Sequence, residues 1–243
     1  IENVAVEINE VGSTMLTFGE ISEDTAKYII HKEKEWNLAR YYINWKSHKY
    51  EPTMFEFSQA AVRGIVACVG TPTEKACDFL DFILNPGMRN LRSYLKGTKE
   101  FLIWIERLKS QYPELPPLFS FLTIDYHAMY PSMKDSLAMP AVKTYLDNRL
   151  TQRPSTEMVL KLLNTVKKSN IFEFEEKLYQ QKSGVSIGQK QAPPYACLGA
   201  GKLEEEQIFP SETFKELVLN DLENDDETQR WYKRFIDDKF LLI

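Results

Sequence analysis

The spacing of apolar positions alternates between helical and strand-like stretches along the chain. Thr71 at a cap, Pro72 in the first turn and Glu74 three residues after the cap form a capping-box signature. Ala76, Phe79, Leu80 and Ile83 then give a helix one apolar face, and Asn85-Pro86-Gly87 is expected to end it. A second helix is expected over Thr98–Lys109 with Phe101, Leu102, Ile105 and Leu108 inward, before Pro113-Glu114-Leu115-Pro116-Pro117 breaks the chain. Phe119–Ser132 runs apolar up to Asp125 and breaks at Pro131, as a buried strand ending in a carboxylate would. Ser155 or Thr156 is placed to cap a helix through Val166, and Phe172, Phe174, Leu178 and Tyr179 predict paired strands leading into Gly184. The helix expected after Pro193 carries Ala196, Gly199, Ala200 and Gly201, small residues that predict a close approach to a sheet. Residues 1–62 read as a mixed region.

The last ten positions, Arg234–Ile243, place Asp237 and Asp238 inside an otherwise apolar and aromatic run that reads as a β-hairpin. Burying charge without a partner is costly, so a carboxylate pair in such a frame implies a turn, a cation or a metal ion. Asn224-Asp225-Asp226-Glu227 has no apolar frame and reads as a solvated loop or helix end. Brought together, Asp125, Asp237 and Asp238 would offer three carboxylates to a pair of Mg²⁺ ions.

Composition narrows the setting. With 243 residues, 43% of them hydrophobic and 12% aromatic, the chain is expected to fold around a sizeable core. No apolar run reaches the ~18 residues that span a bilayer, and no basic-then-apolar signal pattern opens the chain. The expectation is an intracellular protein with no membrane partner. Cys68, Cys77 and Cys197 are an odd number without a CxxC spacing, which argues for buried free thiols over disulfides or zinc. A net charge of −5 argues against broad phosphate binding. The distribution is uneven, however. Lys27, Lys32, Lys34, Arg40, Lys46 and Lys49, with His31 and His48, alternate with Tyr28, Trp36, Tyr41, Tyr42 and Trp45, whereas Glu204-Glu205-Glu206 and the stretch from Glu212 to Glu227 hold the acid. That basic stretch is either a solvated amphipathic surface or a nucleic-acid face.

Five blocks in order carry a family resemblance. They are Ala39–Lys49 (ARYYINWKSHK), Arg63–Thr73 (RGIVACVGTPT), Thr123–Ser132 (TIDYHAMYPS), Gly184–Ala196 (GVSIGQKQAPPYA) and Arg234–Asp238 (RFIDD). Together they resemble the motifs of reverse transcriptases, and the version here is similar to that of Penelope-like retroelements. The resemblance covers about residue 38 to the end. It implies an α+β right-hand polymerase, with fingers and an antiparallel palm sheet packed on helices. Residues 1–116 would be mainly fingers and 117–243 mainly palm, the two interleaved, with the thumb absent and the chain a fragment ending just after the Asp-Asp motif. Glu51–Ser58 would be an insertion, and the location would be nuclear.

The same resemblance assigns roles. Asp125 and Asp237 would bridge two Mg²⁺ (or Mn²⁺) ions, Asp238 would be a secondary ligand, and the Tyr126 carbonyl an extra oxygen donor. Lys46 and Arg63 would hold the triphosphate of an incoming dNTP, with Lys49 competing for the Lys46 role or contacting template and primer. Tyr130 would lie beneath the sugar and exclude a 2′-hydroxyl, which disfavours an RNA polymerase of the same architecture. Gly188 would let the backbone approach the incoming base and template, and Ala192-Pro193 would turn the chain beside template and primer. Lys239 departs from the family's apolar residue after the Asp pair and is expected beside the metal site, where it would compete with Mg²⁺. The implied activity is RNA-directed DNA synthesis on an RNA template from a DNA primer. The alternative is a decayed or domesticated module that binds nucleic acid or protein without catalysis.

Overall fold

The computed structural model describes residues 2–31, 36–46, 61–111, 120–217 and 231–242. Lys49, the Glu51–Ser58 insertion, the Pro113–Pro117 cluster and Asn224–Glu227 lie outside the described residues. In chain order the elements are α1 (Glu2–Thr17), α2 (Glu23–Ile29), β1 (Ala39–Trp45), β2 (Val62–Ala67), α3 (Glu74–Arg89), α4 (Thr98–Gln111), β3 (Phe121–Asp125), α5 (Met129–Ser132), α6 (Asp135–Asn148), α7 (Thr156–Lys168), β4 (Ile171–Phe174), β5 (Lys177–Gln180), α8 (Ala192–Leu203), a π-helical turn (Glu204–Ile208), α9 (Glu212–Leu217), β6 (Tyr232–Phe235) and β7 (Asp238–Leu242). They form two units, one from Ile1–Phe82 with Leu146–Ala192 and the other from Ile83–Tyr145 with Pro193–Ile243.

The first unit contains a four-stranded sheet in the order β2-β1-β4-β5. β1 and β2 are antiparallel, with Asn44 opposite Arg63, and β1 meets β4 in parallel through Ala39 and Phe172. The β4–β5 hairpin turns through Glu175 and Glu176, both at positive φ (49° and 59°), as a tight two-residue turn requires. Tyr41 stacks on Phe172 at 5.5 Å and meets the edge of Phe174 at 5.2 Å, tying β1 to β4. Ser155 caps α7 by accepting from the Met158 N–H, as its sequence context predicts, and α7 buries Val159, Leu162, Leu163 and Val166. Gly188 sits at φ +118°, and a Cβ there would lie 2.2 Å from the Val66 carbonyl oxygen. The neighbouring Ile187 carbonyl accepts from the Val66 N–H at 2.8 Å. The close backbone approach for which glycine is needed is therefore made to β2 of the same unit.

The second unit contains the antiparallel sheet β3-β7-β6. Its core joins Trp104 and Leu108 of α4 with Phe209, Phe214, Trp231, Tyr232, Leu241 and Leu242. Phe101 of α4 lies 4.7 Å from Phe240, ring to ring. Several expectations are corrected here. α3 does not stop at Asn85-Pro86-Gly87 but runs on to Arg89. A proline within a helix forfeits one donor, and the Asn90 N–H closes the last turn onto the Pro86 carbonyl at 3.1 Å. On α4 the inward residue is Trp104 and not Leu102, which is 55% exposed. The glycines of α8 face neighbouring helices and loops and not a sheet: a Cβ on Gly199 would meet Met133 and Ala138, and one on Gly201 would meet Leu91. α6 has no counterpart among the predicted elements. All three cysteines are buried and free, and burial pushes the Cys68 thiol up to about 11, so it stays protonated and inert at neutral pH.

The α4 face gives a direct check. Trp104→Ala should cost about 3–5 kcal/mol of stability and Leu102→Ala no more than ~0.5 kcal/mol, as measured by thermal or urea denaturation.

Candidate active site

The register of β3 against β7 builds the site. Asp125 lies directly opposite Asp238, so both side chains leave the sheet on the same face. Directly opposed residues of antiparallel strands hold their Cβ atoms ~4.5–5.5 Å apart, which places the two carboxylates side by side. Both residues are exposed. Phe235 pairs with Asp238, leaving Ile236 and Asp237 as the two-residue turn of the β6–β7 hairpin. The Tyr126 N–H donates to the Asp237 carbonyl at 3.2 Å, which ties that turn to the end of β3. Asp125, Asp237 and Asp238 thus gather at one end of one sheet. Among the described residues, no three His, Cys, Asp or Glu side chains stand close enough together to hold a metal ion in the present rotamers.

The opposite face of the same strand ends is basic and buried. Pleating sends Lys239 and Arg234, which are paired across β6 and β7, away from the carboxylates. Lys239 is 6% exposed, and its ammonium stands 3.1 Å from the centre of the Tyr126 ring. The expectation that Lys239 sits beside the carboxylates is therefore corrected: one position after Asp238, strand alternation puts it through the sheet. Burial lowers its pKa, against the pull of Glu204. Burial also pushes the Tyr126 hydroxyl up to about 12.

Arg234 is 0% exposed and Glu204 is 1% exposed. The Arg234 Nε donates to Glu204 Oε1 at 2.5 Å and its Nη2 to Oε2 at 3.4 Å, while Tyr232 and Ser93 hydroxyls donate to the same carboxylate at 2.7 and 2.6 Å. Burial opposes the guanidinium charge, but Glu204 outweighs it and holds the Arg234 pKa above its ordinary value. In the sequence Glu204 stands out only as one of three consecutive acids, with Glu205 and Glu206. The signal for the pair was Arg234 itself, a cation inside an apolar strand that needs a buried partner. Ile236, whose carbonyl accepts from Arg234 Nη1 at 2.9 Å, has φ 54°. A β-branched residue in that region costs about 1–3 kcal/mol, so this turn is strained.

The remaining candidates are placed as follows. Tyr130 is half-buried on α5, five positions after Asp125. Arg63 is exposed on β2 opposite Asn44, and the Lys46 N–H bonds the Ala61 carbonyl at 3.0 Å just beyond β1. Alternation from Asn44 therefore carries Lys46 to the same side of the β1–β2 hairpin as Arg63, together with Arg40 and Tyr42. Ala192 is 1% exposed and begins α8 with Pro193, so its side chain packs inside the protein and offers no surface to template or primer.

Asp238 is held above the usual carboxylate range by burial and then by Asp237 and Asp125. A raised folded-state pKa on an acid destabilises the fold above that pKa, and the penalty vanishes below the unfolded value. Asp238→Asn should therefore raise Tm slightly at neutral pH, by no more than ~2 °C for so exposed a group, and the gain should disappear below about pH 4. Thermal melts of both proteins across pH 3–8 check this.

Neither a protein-family model nor a curated protein sequence matches the chain. Among solved structures, an apo telomerase from Candida tropicalis, truncated from its C-terminal domain, is similar with a TM-score of 0.54 at 13% identity. The match covers 75% of this chain and 41% of the telomerase chain, so this chain spans well under half of that protein's length. At such identity the likeness speaks for the fold alone.

Proposed function

We propose that this protein is an RNA-directed DNA polymerase of a Penelope-like retroelement, with residues 1–116 mainly fingers and 117–243 mainly palm. The observation that carries the reading is the register that sets Asp125 opposite Asp238 at the turn bearing Asp237, within a reverse-transcriptase-like fold. The five ordered sequence blocks support the retroelement class.

The donor set suits Mg²⁺ or Mn²⁺ in kind, because it is oxygen only. Asp125, Asp237 and Asp238, with the Tyr126 carbonyl, would hold the ions. Bound there, two such ions would activate the primer 3′-hydroxyl and offset the charge of the leaving pyrophosphate. In the first unit, Arg63 and Lys46 share a face as a fork and a point charge suited to a triphosphate. Tyr130 would exclude ribonucleotides from beneath the sugar. Template RNA, primer DNA and dNTPs are the partners this reading requires, with a nuclear location. A non-catalytic binding module derived from the same fold loses one of its supports, because Lys239 lies on the buried face, turned from the carboxylates.

Primer extension on an RNA template by the full-length protein tests the proposal. Asp125→Asn and Asp237→Asn should each lower the rate by about 10³-fold or more, since the ions contribute several kcal/mol of charge stabilisation. Unchanged rates would remove the catalytic reading. Tyr130→Val should raise ribonucleotide use relative to deoxyribonucleotide by ~10-fold in kcat/KM, the range expected for one steric contact. An unchanged ratio in a folded, active variant would remove Tyr130 as the discriminating residue.

A further inference from the structure

The strained turn that presents Asp237 and Asp238 is held from below by a single side chain. Arg234 reaches past the β6–β7 hairpin with its guanidinium: Nη1 donates to the Ile236 carbonyl at 2.9 Å, Nη2 to the Cys197 carbonyl at 3.3 Å, and Nε to Glu204 at 2.5 Å. Its backbone is fixed as well, the N–H donating to the Ser93 carbonyl at 2.6 Å and the carbonyl accepting from the Leu95 N–H at 2.7 Å. Glu204 is fixed in turn by Tyr232 and Ser93. Ile236 is the residue at φ 54°, where a β-branched side chain stays only if its surroundings hold it.

Such a fully buried and fully bonded ion pair is an inefficient source of stability, because apolar residues of like volume often serve as well. It has a different use here. A rigid fork fixes the carbonyl immediately before Asp237, so the directions of the two following acids depend on it. The pair lies outside the set of residues that would touch metal, primer or nucleotide.

We infer that Arg234 and Glu204 are positioning residues, which lock the Ile236–Asp237 turn so that Asp237 and Asp238 face a divalent cation in one fixed geometry. The inference rests on the metal-dependent function proposed above. It assigns to Glu204, a member of an acidic run, and to Arg234 a role exerted through the turn alone.

The test is Mn²⁺ binding to the full-length protein, read by electron paramagnetic resonance, in the wild type, Asp237→Asn and Arg234→Lys. A single ammonium nitrogen lacks the spread of the three guanidinium nitrogens that reach Glu204 and the Ile236 and Cys197 carbonyls, yet it keeps the buried charge paired. The expected result is wild-type binding that Asp237→Asn removes and that Arg234→Lys weakens by about 10-fold or more, the scale on which residues behind metal ligands act. Near-UV circular dichroism should stay native in Arg234→Lys, and in primer extension the half-saturating Mg²⁺ should rise while the rate at saturating Mg²⁺ falls less. If Arg234→Lys does not fold, the uncharged double variant Arg234→Met with Glu204→Leu takes its place, with the same loss expected. Wild-type affinity in a folded variant of either kind overturns the positioning role and leaves the polymerase reading standing. Wild-type protein with no Mn²⁺ binding that depends on Asp237 overturns both.

Discussion

The pairing of Asp125 with Asp238 is the constraint on which the site depends. A strand has a side-chain period of two, so slipping β7 by one residue against β3 would exchange the faces of every side chain it carries. Lys239 would then stand opposite Asp125, and Asp238 would be driven into the space that now holds the Tyr126 ring and Glu204. The observed register is the one that keeps acids on the open face and bases on the closed one. It is secured by apolar residues farther along the same strands, Leu122, Phe240, Leu241 and Leu242, which pack with Trp104, Trp231 and Tyr232. Hydrophobic burial at one end of the sheet thereby fixes electrostatics at the other.

Two opposed charge layers follow from that register. Asp125, Asp237 and Asp238 cluster at one end, and burial, followed by the two neighbouring acids, holds Asp238 above the usual carboxylate range. Beneath them Arg234 pairs with the Glu204 carboxylate and Lys239 stands over the Tyr126 ring. The acid cluster is a local cost to stability that a bound cation would offset, an arrangement common at functional sites.

Much of this was legible in the sequence where an apolar frame surrounded a polar residue. The hairpin around Asp237-Asp238, the capped α7 and the β4–β5 pair all announce themselves by period and by turn chemistry, as does the strand ending at Asp125, although β3 is largely exposed and not the buried strand its apolar run predicts. The misses share a different cause. Adjacency in sequence sets Lys239 next to Asp238, but strand alternation carries its side chain to the opposite, buried face. Glu204 was hidden among Glu205 and Glu206, since burial of one member of an acidic run depends on Arg234, thirty positions away. Pro86 and Pro140 lie inside α3 and α6, where tertiary packing overrides their breaking tendency. Gly188, Gly199 and Gly201 were recognised as sites of close approach, but what approaches is set by long-range packing that a local pattern does not contain.

The central claim is that one sheet face gathers three carboxylates for a divalent cation. The most direct measurement is a crystal structure of the full-length protein grown with Mn²⁺ and a non-hydrolysable dNTP, with Mn²⁺ located by anomalous scattering. The account predicts Mn²⁺ ligated by oxygens of Asp125 and Asp237 at roughly 2.0–2.3 Å, on the face away from Lys239. Mn²⁺ bound elsewhere, or an Asp125 carboxylate turned away from an ion held by the turn, would contradict it.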